Sequence, residues 1–84
     1  MLIRQFQYLT NPISLILNIE CNEDSRLKLK VLNENGAIAK SLETSIKAGN
    51  QDYLVNVSDL SSGNYVLNAF YEGGFLSSLK FVKQ

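Results

Sequence analysis

Histidine and tryptophan are absent from this 84-residue sequence, and cysteine and proline occur once each. Without histidine the commonest general base is missing, and a serine or cysteine nucleophile loses its usual activator. One cysteine, Cys21, excludes an intrachain disulfide, though not an extracellular home. It extends the apolar stripe Leu15, Leu17 and Ile19, where a free thiol behaves as a small hydrophobe. Eight basic residues cancel eight acidic ones. A neutral chain lacks the charge excess of nucleic-acid binders. No apolar run approaches the ~20 residues of a membrane helix. The first twenty residues also lack the basic, apolar and small-residue order of a signal peptide. If the domain is exported, its signal is expected elsewhere in a longer protein.

The length fits one domain, residues 1–84, with a thin core. Period-two alternation dominates, which marks half-buried strands. Ile3 to Leu9 alternates weakly, with Phe6 and Tyr8 on one side, and Asn11-Pro12 breaks it. Leu15, Leu17, Ile19 and Cys21 face inward, with Ser14, Asn18 and Glu20 outward. Asn22 to Ser25 is a polar turn. Leu27, Leu29 and Val31 point inward, and Lys28 and Lys30 outward. Asn35-Gly36 is the strongest hairpin signal, since both residues tolerate positive φ. It should join that strand to one over Ala37 to Leu42. Ser41 to Lys47 also admits one helical turn. Ala48 to Gln51 reads as a turn. Tyr53, Val55 and Val57, and then Tyr65, Leu67 and Ala69, are further inward sets. Glu72-Gly73-Gly74 closes a second hairpin, and Phe75, Leu79 and Phe81 line the last strand.

About seven short strands with turns roughly every ten residues predict an all-β, immunoglobulin-like antiparallel β-sandwich. Leu60 can plug the end of such a sandwich, and Gly63 lets the chain reverse without a Cβ clash. Tyr65 then enters the core. Its hydroxyl could bond back to the corner, as in the tyrosine corner of immunoglobulin-like and fibronectin-like domains, or Tyr65 is simply an inward aromatic.

Other chemistry is sparse. Glu23, Asp24, Asp52 and Asp59 fall in turns or at strand ends, where solvation keeps a carboxylate ordinary. Asn22-Glu23-Asp24 and Asn33-Glu34-Asn35 offer oxygen ligands, but neither has the spacing of a calcium loop. Neither a catalytic set, a resident metal nor a cofactor is expected. Asn56-Val57-Ser58 matches the glycosylation triplet, a short pattern that recurs by chance. Lys28, Lys30 and Lys40 read as a solvated face or as edge protection. Single-stranded nucleic-acid binding would want aromatics interleaved with this charge, and none are. Ile16, Leu32, Leu54, Val66, Phe70 and Val82 lie opposite the inward stripes. If Val66, Phe70 and Val82 adjoin on the last hairpin they form an apolar patch of the kind that binds partners; the alternative is that loops or the first strand cover them.

Several segments together resemble a known family. They are Asn11-Pro12 followed by Leu15, Leu17 and Ile19; Leu29 to Gly36; Val57-Ser58-Asp59-Leu60-Ser61-Ser62-Gly63-Asn64-Tyr65; and the ending Lys80-Phe81-Val82-Lys83. In order and spacing, from about Tyr8 to Gln84, the chain resembles the type A C-terminal sorting domains of type IX secretion cargo in Bacteroidetes. The family often has proline before Asn-Pro, where this chain has Thr10, and aspartate where it has Asn33.

The resemblance implies a non-catalytic sorting signal at the end of a larger exported protein. That protein would cross the periplasm and reach the outer-membrane surface or the medium. The implied partners are the outer-membrane secretion machinery and a sortase-like protease. The resemblance points to Gly63, Tyr65, Lys80, Phe81, Val82 and Lys83 as the segment required. Val66, Phe70 and Val82 would then supply contact area, and Lys80 and Lys83 orientation. An exposed edge strand could also pair two copies. The alternative on the same fold is a structural or carbohydrate-binding module. Its sugar site would draw on Tyr8, Tyr53, Tyr71 and Phe75.

Overall fold

The alternating pattern yields seven strands among the described residues: β1 (Leu2–Thr10), β2 (Ile13–Cys21), β3 (Ser25–Leu32), β4 (Ile38–Ile46), β5 (Gly49–Asn56), β6 (Gly63–Tyr71) and β7 (Gly74–Lys83). The structure is a computed structural model that describes the backbone of residues 1–10 and 13–84, and the side chains of 1–4 and 14–84. The expected break at Asn11-Pro12 and the sides taken by Phe6 and Tyr8 lie outside the described residues. Two antiparallel sheets form, one ordered β1-β2-β5 and the other β4-β3-β6-β7. This is the immunoglobulin-like sandwich expected, with three hairpins and three connections that cross between sheets.

The inward stripes meet between the sheets. Leu15, Leu17 and Ile19 of β2 and Leu27, Leu29 and Val31 of β3 are fully buried, with Val57 and Leu67 beside them. Each such side chain contributes about 1.5–3 kcal/mol. Cys21 closes the β2 stripe, buried and in no disulfide, its thiol 3.1 Å from the Lys47 carbonyl oxygen. Ser14, expected outward, is buried instead. It sits on the central strand of its sheet, between β1 and β5.

The turns depart from expectation in instructive ways. At Asn33 to Gly36 only Gly36 has positive φ, so this is not a two-residue hairpin with both central residues left-handed. The Asn33 side-chain oxygen instead accepts from the backbone N–H groups of Asn35 and Ala37. The Asn33 carbonyl accepts from Gly36 N–H. Asparagine thus builds the turn from its side chain. The register then slips between Val31 and Leu32 to absorb the extra residue. Residues 41–46 continue β4 and form no helical turn. The crossing to β5 is shorter than the expected Ala48 to Gln51, because Asn50 and Gln51 are already paired with β2. Lys47 and Ala48 alone make it, held by Asp24 Oδ1 accepting from Ala48 N–H at 2.9 Å.

The Glu72-Gly73 turn is the tight one. Tyr71 pairs with Gly74, and both intervening residues have positive φ, 52° at Glu72 and 78° at Gly73. That is the twist-matched two-residue hairpin geometry, which favours Asn-Gly. Glutamate in this conformation costs about 1–2 kcal/mol. Glu72→Asn is therefore expected to raise stability by about 1 kcal/mol, lifting Tm by about 4–8 °C in thermal unfolding.

Past this turn the register slips between Ala69 and Phe70. One extra residue on β7 inverts the alternation before it. Phe75 therefore lies outward, 64% exposed, rather than in the inward set with Leu79 and Phe81. It pairs with Phe70, with ring centroids 6.0 Å apart and edge-on.

Candidate functional site

The corner from Val57 to Gly63 is tied down from three strands. Leu60 is buried there, and its N–H bonds the Val57 carbonyl at 3.1 Å. Tyr65 donates its hydroxyl to the Ser61 carbonyl at 2.6 Å, the tyrosine-corner alternative. Its ring stacks on Phe81 at 5.4 Å. Gly63, at φ 154°, begins β6 in a conformation that L side chains rarely adopt. Lys40 reaches the corner from β4, with Nζ within 3.0–3.2 Å of both Asp59 carboxylate oxygens. The Lys40 hydrogen bond holds the Asp59 carboxyl below its usual range, and the charges of Lys40 and Lys83 add to this. Lys40 is thus not part of the solvated face. It pairs with Val31, on the inward side of the sheet, and that register aims it at the corner.

The β6–β7 pairing gathers most of the residues singled out in the sequence. Gly63 pairs with Lys83, Asn64 with Val82, Tyr65 with Phe81 and Val66 with Lys80. Tyr65 and Phe81 face the core. Val66, Lys80 and Val82 face outward, with Val82 55% exposed. Together with Glu34 and Asn64 they line a groove of about 470 Å³, with Tyr65 and Phe81 behind it. Leu32 pairs with Val66, and Ile38 with Leu32. The apolar row therefore runs across three strands, β4, β3 and β6, and meets Lys80 on β7.

Phe70 is not part of this patch. Four residues from Val66 along β6, it lies about 13 Å away. Between them runs a polar row, Ser41, Lys30, Asn68 and Ser78. Phe70 sits instead opposite Lys28, with Lys30 Nζ 5.4 Å from its ring centroid. Strand pairing thus brings aromatics and lysines together in space, which the order along the chain conceals. Arg26 shares this end of the face, already bonded to Glu43 at 3.0 Å.

Lys83 is also placed differently from Lys80. It is 8% exposed, and its ammonium donates to the carbonyls of Ser58 (3.0 Å) and Leu60. A lysine in this position orders the corner from within.

Sequence reasoning missed Glu34. Its Oε1 accepts from the Asn64 backbone N–H at 3.0 Å and from Asn64 Nδ2 at 3.2 Å. It joins the β3–β4 turn to the start of β6 and forms one wall of the groove. The turn pattern Asn33 to Gly36 was visible, but nothing local shows that β3 pairs with β6. Asn56 Oδ1 accepts from Ser58 N–H at 2.8 Å, which accounts for the glycosylation-like triplet as turn chemistry. Among the described residues no group of three or more acidic, histidine or cysteine side chains could hold a metal ion. Tyr53, Tyr71 and Phe75 do not share a face, since Tyr53 pairs with Leu17 in one sheet and Phe75 lies outward on the other. Tyr8, the fourth aromatic, lies outside the described side chains.

A family model described as a secretion system C-terminal sorting domain matches residues 10–84. No curated protein matches the chain.

Proposed function

Because the chain belongs to the family of secretion system C-terminal sorting domains, we propose that the outward rim of its β6–β7 hairpin is the surface that the outer-membrane machinery reads. The domain is a C-terminal sorting signal for type IX secretion. It interacts with that machinery and implies export to the cell surface or the extracellular space. Domains of this family are in general non-enzymatic.

One observation supports the rim most strongly. Val82 and Lys80 project outward on a strand whose alternate residue, Phe81, is locked into the corner by Tyr65. Exposed apolar area supplies contact, and a neighbouring ammonium supplies orientation. In this reading Val66, Lys80 and Val82 are contact residues, and Gly63, Tyr65 and Phe81 hold them in place. Phe70 lies beyond the contact. The parent is a larger protein that reaches the periplasm by a separate signal. A sortase-like protease then separates the domain from the cargo. The chain carries no catalytic role in these steps. β4 and β7 are the edges of the four-stranded sheet, where strand addition by a second copy would pair.

Competition tests the reading. The 1–84 domain, produced in excess in the periplasm of a bacterium with type IX machinery, should slow export of that cell's other cargo several-fold. Unchanged cargo export, with the domain shown to be folded and abundant, would contradict it.

A further inference from the structure

The two lysines that flank Phe81-Val82 have opposite surroundings. Lys80 pairs with Val66 on the outward side and is exposed. Lys83 pairs with Gly63 on the inward side and is 8% exposed. Its ammonium donates to the Ser58 and Leu60 carbonyls. Those carbonyls belong to the same corner that receives the Tyr65 hydroxyl at Ser61 and the Lys40 ammonium at Asp59.

We infer that Lys83 is a positioning residue of the sorting signal and that Lys80 is its one contact lysine. The inference rests on the rim being the surface read. β7 has a single hydrogen-bonded neighbour, β6, in its sheet. Edge strands open locally at lower cost than central ones. Among the described residues, the ladder to β6, the Phe81–Tyr65 stack and the Lys83 ammonium hold this end of β7. Without the ammonium, two corner carbonyls lose their donor, and the pairing of Gly63 with Lys83 loses the side chain that anchors it. Val82, one residue away, then no longer presents a fixed side chain to a partner. A buried ammonium is also beyond the reach of a partner that docks on the outward rim.

The test is a set of reporter fusions in a type IX-competent bacterium, with amide exchange measured on the isolated domain. Lys83→Met keeps the length of the side chain and removes the donors. It is expected to lower export at least fivefold. It should also speed exchange at residues 80–82 at least tenfold, and by more than at Leu29 and Leu67 in the core. Lys83→Arg, which retains donors, is expected to recover most of both. Lys80→Met should lower export and leave exchange untouched.

Adding Glu72→Asn to Lys83→Met separates positioning from overall stability. The pair should regain wild-type Tm and still export poorly. If export returns with Tm, Lys83 acts only through stability and the inference is wrong. It is equally wrong if Lys83→Met exports normally, or if exchange at residues 80–82 does not change. Should Lys83→Met fail to fold, the Arg variant decides, because loss of export in a folded Lys83→Arg domain would make Lys83 itself a contact. Retention of the wild-type fusion in the periplasm would instead sink the sorting reading, while the exchange data would still judge the latch.

Discussion

Tyr65→Ala is expected to leave the domain at the edge of unfolding at room temperature. Truncating a buried aromatic costs about 3–5 kcal/mol, and the lost stack on Phe81 adds about 0.5–1.5 kcal/mol. A domain of this size has roughly 4–13 kcal/mol in total. Tyr65→Phe isolates the corner hydrogen bond from the ring. It keeps the stack and removes only the hydroxyl that bonds Ser61 at 2.6 Å. Its expected cost is about 1–2 kcal/mol, a fall in Tm of about 5–15 °C. Thermal unfolding followed by circular dichroism measures both. If Tyr65→Phe melted with the wild type, the hydroxyl would contribute nothing and the corner would rest on packing alone.

The second large effect is functional. Lys80→Glu with Val82→Ser is expected to reduce export of a fused reporter at least tenfold and to leave Tm nearly unchanged. Both positions face outward and are exposed, and substitutions at such sites usually move stability by less than about 0.5 kcal/mol. Reversing a charge and removing apolar area at a docking surface act together on a partner. The matched control is Phe70→Ser with Phe75→Ser, at the far end of the same face. It should export normally, because the polar row through Lys30 and Asn68 separates it from the rim. Equal loss in both pairs would mean that the whole face is read, or that neither end matters specifically.

Much of this architecture is legible in the alternation itself. Leu15-Leu17-Ile19, Leu27-Leu29-Val31 and Tyr65-Leu67-Ala69 all face inward because period two leaves a half-buried strand no other choice. The corner was legible too, since Gly63 followed by Tyr65 is a spacing with a mechanism. What escaped was set by register. The slip near Ala69 turned Phe75 outward, and a one-residue insertion of that kind has no local signature. The placement of Lys40 against Asp59, and of Glu34 against Asn64, depends on which strands become neighbours. So does the contact of Lys30 with Phe70, forty residues apart in the chain. The burial of Lys83 was concealed by its chemistry, because a lysine at a strand end reads as solvated until the carbonyls that receive it are placed.

The measurement that most directly tests the central claim is fractionation of a type IX-competent bacterium expressing residues 1–84 behind a signal peptide and a fluorescent reporter. A twin lacks Lys80 to Gln84. The account predicts that most of the full fusion appears at the cell surface or in the medium, and that the twin stays in the periplasm. Retention of both in the periplasm, with the full-length domain shown to be folded, would contradict it.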